Sequence, residues 1–295
     1  MNGRFVFSPP AAHHSRPCSL RQEFLDGLLA VAYPTDCPLC GSELASDGWL
    51  RICRSCWADL QPWCGPVCAR CGLPFASPQA LDSALAECGA CRRDEPAFDG
   101  AGAFGLYTGK LRRVVLRLKF SGDTRLGRRL GQLLASAWAA LPRGADFNSP
   151  VIIPVPLHPS RRRERGFNQS DLLAEGLVRA LRKHQGATVP AVAKSWLLRQ
   201  RATPPQTGLS VAARRENLRG AFAVVKPAEV RGRTIVLVDD VMTTGATISA
   251  CARALKHAGA ARVLGLTLAR ATPQFPDLAP PETDNAVDGR DRDST

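Results

Sequence analysis

The most informative pattern of apolar and polar positions lies between residues 235 and 259. Four apolar residues, Ile235 to Val238, run directly into the acidic pair Asp239 and Asp240. An unbroken apolar run of this length predicts a strand buried on both faces of a parallel sheet. After a short loop rich in hydroxyl groups, apolar residues recur with helical spacing from Ile248 to Leu255. The pattern therefore predicts a strand, a loop and a helix in immediate succession.

Further strands and helices are predicted on both sides of this segment. Apolar runs predict strands at 151–155, 221–225 and 263–268, a shorter apolar stretch lies at 195–198, and residues 100–107 predict a strand or a hairpin. Helical spacing predicts helices near 111–118, 126–141, 170–183 and 210–219. Strands that alternate with helices favour a parallel sheet. We therefore expect an α/β fold class, a doubly wound parallel sheet preceded by a small cysteine-rich module.

Cysteines are concentrated in the first third of the chain. Ten of the eleven lie before residue 92, and eight of them form four CxxC pairs: Cys37 and Cys40, Cys53 and Cys56, Cys68 and Cys71, and Cys88 and Cys91. Two residues between cysteines allow both thiolates to bind one metal ion from a tight turn, and two such pairs complete a tetrahedral zinc site. Redox-active CxxC motifs would instead be expected singly, beside a βαβ pattern. We predict two structural Zn²⁺ ions in a double zinc ribbon.

The order in which the four pairs combine stays open at the level of the sequence. Sequential pairing leaves twelve residues between the first two pairs and sixteen between the last two, which suits consecutive ribbons, whereas an interleaved cross-brace would use the same cysteines. The remaining cysteines, Cys18, Cys64 and Cys251, are expected to pack rather than to bind metal. Because ribbons of this size have little core, we expect chelation to unfold them and to leave the sheet intact.

Composition divides the chain into four regions. Residues 1–34 predict a tail with a short amphipathic helix, 35–95 the double zinc ribbon, 96–272 the α/β domain, and 273–295 a disordered acidic tail. We expect neither a membrane span nor a signal peptide, because no apolar stretch has the required length or position. CxxC pairs inside cells are usually metal sites, so we expect a cytoplasmic protein.

The formal net charge of +13 is unevenly distributed. Eight basic residues lie between Lys110 and Arg129, against Asp123 alone, and residues 161–165 contain four arginines. A basic surface of this kind suits polyanions such as a diphosphate or a nucleic acid. For any single arginine, a solvated helix face is the simpler explanation.

Residues 239–247 have the chemistry of a sugar-phosphate site. Asp239 and Asp240 would stand at the carboxyl end of a strand, where open α/β sheets bind ligands, and could accept hydrogen bonds from two vicinal ribose hydroxyls. A buried strand with an acidic end and a Thr-capped helix is the plainer alternative. In the sugar-phosphate interpretation, backbone N–H groups at the helix N-terminus would face the phosphate; they belong to Thr243, Thr244, Gly245, Ala246 and Thr247.

Residues 235–247 resemble the fingerprint of the type I phosphoribosyltransferases, which bind 5-phosphoribosyl 1-diphosphate (PRPP). Upstream, residues 151–169 resemble the diphosphate loop of these enzymes. Together with the cysteine pairs and residues 116–120 and 203–210, these motifs occur in the order found in the ComF family of competence-related proteins, which includes GntX-like proteins. The resemblance spans about residues 20–270, and so covers both predicted domains.

The resemblance implies that PRPP binds here together with Mg²⁺. It places the catalytic carboxylates Asp239 and Asp240 at the ribose hydroxyls, residues 243–247 at the 5-phosphate, and Arg161 and Arg162 at the diphosphate. The chemistry of this class is displacement at the anomeric carbon, with release of diphosphate.

Residues 203–215 have the position of a flexible loop that closes over the substrate in the family. Arg214 or Arg215 could then reach the diphosphate, and surface charge on a helix is the alternative for these two residues. The acceptor of the phosphoribosyl group has no evident recognition element in the sequence.

Two function classes follow from the resemblance. The first is a PRPP-dependent phosphoribosyltransferase with an unidentified acceptor. The second is a non-catalytic factor in natural transformation, which would handle single-stranded DNA with the competence machinery and keep the PRPP fold as a sensor or scaffold. The intact motif favours PRPP binding, and an aromatic content of 6% offers few stacking platforms for single strands.

Overall fold

The computed structural model of the protein describes residues 36–44, 52–75, 87–120, 122–142, 147, 149–185, 189–202 and 217–272. By its internal contacts the chain divides into two compact units, Met1–Cys53 and Arg54–Thr295. The second unit contains every strand and helix defined below, together with the last two CxxC pairs. No helix among the described residues is long and apolar enough to cross a membrane.

Helices and strands alternate through the second unit. The helices are α1 (Arg54–Ala58), α2 (Gly89–Arg93), α3 (Gly109–Phe120), α4 (Thr124–Ala139), α5 (Pro159–Arg165), α6 (Gln169–Gln185), α7 (Pro227–Val230) and α8 (Ala246–His257). The strands are β1 (Gly100–Leu106), β2 (Val151–Pro154), β3 (Ala191–Val192), β4 (Leu197–Arg199), β5 (Phe222–Val224), β6 (Thr234–Met242) and β7 (Arg262–Arg270).

Five strands form one sheet in the order β1-β7-β6-β2-β3, and every neighbouring pair is parallel. β6 and β7 occupy its centre and are almost entirely buried, which accounts for their unbroken apolar sequences. The predicted fold class is therefore confirmed. Because all five strands run the same way, the acidic end of β6 and the end of β2 lie at the same edge of the sheet.

The prediction of a parallel sheet is wrong for one segment. β5, at the place of the predicted strand 221–225, does not join the large sheet but pairs antiparallel with β4 in a separate two-stranded sheet. The antiparallel pairing of β4 with β5 satisfies the backbone hydrogen-bonding groups of both strands locally, so β5 needs no neighbour in the large sheet. The predicted helix at 210–219 lies mostly outside the described residues.

Two helices hold the side chains that reach the acidic end of β6. α3 buries Leu111, Val114, Val115 and Leu118 on one face, as its spacing predicts. α6 packs closely against α4 at Gly176, where an added Cβ would lie 1.9 Å from the Arg128 carbonyl oxygen. The C-terminal end of α3 and the N-terminal end of α6 are thereby fixed beside β6.

The last two CxxC pairs belong to the same hydrophobic core as the sheet. Cys68, Cys71, Cys88 and Cys91 are all buried, in one cluster with apolar residues of β2, β6 and α8. Gly72, in the turn after Cys71, has φ +63°, and an added Cβ would lie 2.8 Å from the Ala101 carbonyl oxygen of β1. This part of the cysteine-rich region is therefore packed directly onto the edge strand.

Candidate functional site

Asp240, near the end of β6, is held in place by three hydrogen-bond donors. Its side chain is buried, with a residue exposure of 5%. Lys119 Nζ of α3 lies 3.2 Å from Oδ2, and Gln169 Nε2 of α6 donates to the same oxygen at 3.4 Å. The backbone N–H of Val241 donates to Oδ1 at 2.7 Å. Burial alone would lower the pKa of Lys119, but Asp240, with Tyr107 and Asp239, raises it above its usual value.

The Asp239 carboxylate has fewer described hydrogen-bond donors than the Asp240 carboxylate. Oδ1 accepts hydrogen bonds from Ser170 Oγ at 3.0 Å and from the Asp240 backbone N–H at 2.9 Å. Burial and the adjacent Asp240 carboxylate raise the pKa of Asp239 to about 7. Oδ2 has no hydrogen-bond partner among the residues that the structure describes. This oxygen is therefore available to a ligand hydroxyl.

Residues 243–247 turn the chain from β6 into α8. Gly245 adopts the left-handed conformation, with φ 77° and ψ 6°, and immediately precedes the helix. The Thr244 hydroxyl accepts a hydrogen bond from the Ala246 backbone N–H at 3.3 Å. The first turn of α8 contains no acidic residue, so the positive end of the helix dipole is not offset within its own first turn. This is the geometry of an anion site.

A pocket of about 690 Å³ lies over these residues, and we call it the strand-end pocket. Asp239, Asp240, Thr243 and Thr247 form one side of it. Its lining also includes cationic and aromatic side chains, among them Lys119, Arg161, Arg165, Arg199, Tyr107 and Phe120. The pocket thus places carboxylates, a helix N-terminus and several cations around one space.

The arginines predicted for the diphosphate are placed differently from one another. Arg161 lies in the pocket lining, at the start of α5. Arg162 is exposed on the same helix and is not part of the described lining. Arg214 and Arg215 lie outside the described residues.

Several residues that line the pocket or contact its acidic pair were not singled out from the sequence. Lys119 lies within the segment 116–120, which the family resemblance includes without giving it a role. Gln169 and Ser170 begin α6 directly after the arginine-rich loop, so a helix N-terminus following a basic loop is the signal that could have identified them. Arg199 ends a short strand, with its guanidinium 5.6 Å from the Phe222 ring, and nothing in its sequence context marks it.

The eight paired cysteines form two groups of four. Cys37, Cys40, Cys53 and Cys56 are the first cluster, and Cys68, Cys71, Cys88 and Cys91 the second; within each, the sulfur atoms lie within 4.8 Å of one another. The pairing is therefore sequential and not interleaved. Neither group forms disulfides.

The sulfur geometry fits zinc. A tetrahedral ion with Zn–S bonds of about 2.3 Å requires S–S separations of about 3.8 Å. Cys40 and Cys53 are separated by 3.6 Å, and Cys71 and Cys88 by 3.7 Å. In the second cluster, a hydrogen bond with Cys71 lowers the pKa of the Cys68 thiol to about 4, and the Cys88 backbone N–H donates to the same sulfur at 3.2 Å. Four thiols at these distances make a closed structural metal site.

Comparisons with known proteins agree with both parts of the chain. The family model of the double zinc ribbon domain matches residues 28–93, and that of the phosphoribosyl transferase domain matches residues 173–278. Competence protein F of Haemophilus influenzae is 33% identical over 222 residues, which cover 75% of this chain and 90% of that protein. DNA utilization protein YhgH of Salmonella typhimurium is 35% identical over 234 residues, covering 79% and 96%.

One solved structure is similar in part. Glutamine PRPP amidotransferase of B. subtilis, in complex with ADP and GMP, is 19% identical and has a TM-score of 0.32. The match covers 51% of this chain and 30% of that one.

Proposed function

The chain belongs to the ComF family, and we propose that its strand-end pocket binds PRPP together with Mg²⁺. The observation that carries this proposal is the pocket itself, in which an acidic pair, the N-terminus of α8 and arginine side chains surround one space of about 690 Å³. PRPP presents two hydroxyls, a phosphate and a diphosphate, which match those three features.

Each part of the ligand has a candidate partner. Asp239 Oδ2 is open to a ribose hydroxyl, while Asp240 is held by Lys119 beside it. The backbone N–H groups of residues 243–247 suit the 5-phosphate, because these residues lead into and begin a 12-residue helix. Arg161 also lines the pocket, and its charge suits the diphosphate. Arg162, Arg214 and Arg215 are assigned to the diphosphate as well, on the strength of the family motif.

Mg²⁺ would arrive with the ligand and offset the charge of the diphosphate. Carboxylate and phosphate oxygens are the donors that Mg²⁺ prefers. The carboxylates of Asp239 and Asp240 supply such oxygens at the pocket wall.

A pocket of this kind suits phosphoribosyl transfer. The bond between the anomeric carbon and the diphosphate oxygen breaks, its electron pair leaves with diphosphate, and an acceptor forms the new bond to the same carbon. Carboxylates below the ring favour the positive charge that develops on the sugar, and arginines favour the departing anion. In this proposal Asp239 and Asp240 are the catalytic residues, and the acceptor is left unspecified.

Thermal unfolding and calorimetry with PRPP and Mg²⁺ test the binding step. We expect PRPP to raise the Tm, because a ligand that binds only the native state stabilises it. Asp239→Asn combined with Asp240→Asn should abolish this shift without unfolding the protein. Glu229→Gln, an exposed acidic residue on α7, is the control and should respond as the wild type does. A full PRPP response in the double variant would contradict the ribose assignment.

Two arginines on α5 provide a matched test of the proposed diphosphate contact. Arg161 lines the pocket, whereas Arg163, two residues further along α5, is exposed and does not belong to the described lining. Arg161→Ala should weaken PRPP binding by about tenfold, which corresponds to the loss of one charge-assisted contact of about 1.4 kcal/mol. Arg163→Ala should leave the dissociation constant unchanged. Equal losses in the two variants would point to general electrostatic attraction instead.

Single-stranded DNA binding is the second candidate, and it is favoured by the exposed basic side chains of α3 and α4. The Arg113 and Arg125 side chains are exposed there, whereas Lys110 pairs with Asp59 and Arg128 with Glu175. The relatives named above are a competence protein and a DNA utilization protein. The competence machinery would then be the partner of this chain.

Competition distinguishes the two candidates. If DNA reaches the strand-end pocket, PRPP should displace it, Arg161→Glu should weaken both ligands, and Arg113→Glu should weaken DNA alone. The DNA affinity should fall steeply with salt, because phosphate contacts release counterions. Absence of DNA binding at low ionic strength would leave PRPP binding as the function of this site.

The compartment follows from the cysteine chemistry. Eight thiols in two closed metal sites suit a reducing environment, so we propose that the protein is cytoplasmic. Cell fractionation with an antibody to the chain tests this, and recovery in an oxidising compartment would contradict it.

A further inference from the structure

A buried arginine connects the second cluster with the start of residues 243–247, which we call the phosphate loop. Arg270, the last residue of β7, has an exposure of 5%. Its Nε donates to the Cys71 carbonyl oxygen at 3.3 Å, and a terminal nitrogen lies 3.7 Å from the Cys71 sulfur. The other terminal nitrogen donates to the Met242 carbonyl oxygen at 2.9 Å and also to the Thr243 carbonyl oxygen. One guanidinium thus donates hydrogen bonds to Cys71 of the second cluster, to the last residue of β6 and to the first residue of the loop.

The charge of Arg270 matches what the second cluster requires. Four thiolates around Zn²⁺ carry a net charge of −2. Burying such an anion is costly unless a cation or hydrogen-bond donors lie beside it. Arg270 supplies both, and its planar fork of donors can satisfy several acceptors at fixed angles, which a lysine ammonium cannot do. The second cluster and these backbone carbonyls therefore fix the position of the guanidinium together.

The chain that follows the second cluster supports the same loop from another side. Phe98, seven residues after Cys91, is almost completely buried and packs against Gly245, where an added Cβ would lie 3.3 Å from Cε1 of the ring. The Ala97 backbone N–H donates to Ser249 Oγ in the first turn of α8 at 3.0 Å. The phosphate loop is therefore held at Met242 and Thr243 by Arg270, and at Gly245 and Ser249 by the segment after Cys91.

We propose that the second cluster, acting through Arg270, positions the phosphate loop, so that metal occupancy of this cluster and anion binding at residues 243–247 are thermodynamically coupled. Arg270 is a positioning residue, since its described contacts are with the protein and not with the pocket space. The proposal rests on the proposed function only in so far as PRPP supplies the anion. The positioning itself is a property of the unliganded protein.

Coupling of this kind is reciprocal. If metal in the second cluster raises the affinity for PRPP, PRPP must raise the affinity for that metal by the same factor. A ligand in the pocket should therefore slow the loss of zinc from the second cluster. The first cluster provides a comparison within the same molecule.

Hydrogen exchange on the unliganded protein tests the positioning directly. In Arg270→Met, backbone amides of residues 242–249 should exchange about tenfold faster or more, because the loop loses its anchor. Arg270→Lys retains the charge but not the fork, and should give an intermediate rate. Arg262→Lys, at the first residue of the same strand, is the control, because Arg262 donates to Pro142 at the other end of β7. Unchanged exchange in Arg270→Met would overturn the proposal, whether or not PRPP binds.

Ligand and metal measurements then test the coupling. With zinc content verified by metal analysis, Arg270→Met and Arg270→Lys should weaken PRPP binding by about tenfold and about threefold, and Arg262→Lys should not. In a Cys40→Ser variant, which leaves only the second cluster complete, PRPP with Mg²⁺ should slow zinc transfer to a chromogenic chelator. If the wild type binds PRPP but zinc transfer is unaffected, the coupling is disproved while the proposed function stands. If the wild type does not bind PRPP, the proposed function fails, and hydrogen exchange alone decides the positioning.

Discussion

The second cluster and the acidic pair of β6 both gather like charges in a buried environment, but they are compensated to different degrees. The four thiols of the second cluster can share a divalent ion, and the buried guanidinium of Arg270 lies beside them. In the acidic pair, Lys119 lies against Asp240, while Asp239 keeps one unpartnered oxygen among the described residues and a pKa raised to about 7. In a structural site the protein and its metal balance the buried charge by themselves. In a binding site, part of the charge and some hydrogen-bond acceptors stay without a partner until the ligand binds.

The largest effect on stability should come from disrupting the second cluster. Cys71→Ser removes a thiolate from a cluster that lies in the core of the sheet, so we expect a loss on the order of 3 kcal/mol or more, roughly 6–12 °C in Tm. Cys40→Ser is the matched variant in the first cluster, where Cys40 is exposed, and should cost much less. Equal losses in calorimetry would mean that the shared core does not depend on the metal.

This expectation differs from the one that the sequence supports. From the spacing alone, chelation should unfold both ribbons and leave the sheet intact. Because the second cluster is part of the sheet's own core, its metal should stabilise the sheet as well. Chelation followed by near-ultraviolet circular dichroism measures the difference.

A smaller effect on stability is expected from removing Lys119, the cation that pairs with Asp240. Lys119→Met should cost about 2 kcal/mol at pH 8, because it leaves Asp240 buried and unpaired; the value is below the 3–5 kcal/mol of fully buried pairs since the Lys119 side chain is 21% exposed. The loss should shrink at pH 5, because Asp239, whose pKa is raised to about 7, is then protonated and leaves less negative charge beside Asp240. Lys194→Met is the control, because Lys194 pairs with Glu175 at the surface. A loss that does not depend on pH would assign Lys119 a packing role.

The smallest effect should be a gain in stability, and it is expected from the replacement of Asp239. The pKa of Asp239 is raised in the folded protein, so its contribution to stability is full below about pH 4 and is lost as the pH rises through about 7. Asp239→Asn removes that penalty and should stabilise the protein by on the order of 1 kcal/mol at pH 8, with a smaller gain at pH 5 and none below about pH 4. Urea unfolding at the two pH values measures it. A destabilised variant at pH 8 would show that the ligand-free site is already fully compensated.

The sequence predicted those features that depend on local pattern. β6, its acidic end and α8 were identified because a buried strand, a loop and an amphipathic helix follow one another without interruption. The cysteine clusters were identified because CxxC spacing itself creates half of a metal site. The pairing of β4 with β5 was missed, since strands of three residues carry no periodicity that distinguishes them from strands of the large sheet.

Features that depend on long-range packing were not predictable. Lys119 and Asp240 are 121 residues apart, so their ion pair follows from the packing of α3 on β6 and not from any spacing. Arg270 is 199 residues from Cys71 and ends a mostly apolar strand, where a sequence suggests only the return of the chain to solvent. Its role becomes visible only when the burial of its guanidinium is known.

The position of β1 has a consequence for how the protein is made. β1 lies at the edge of the sheet, and its neighbour there is β7, with Gly100 opposite Leu264. A ribosome that adds about 5–20 residues per second must therefore work for roughly ten seconds or more after β1 has emerged before its neighbour exists. The cysteines of the second cluster emerge earlier still, whereas Arg270 emerges at the end of β7. The nascent chain can thus load its metal first and acquire the counter-cation only with the C-terminal strand of the sheet, which makes the ordering of the phosphate loop one of the last events of synthesis.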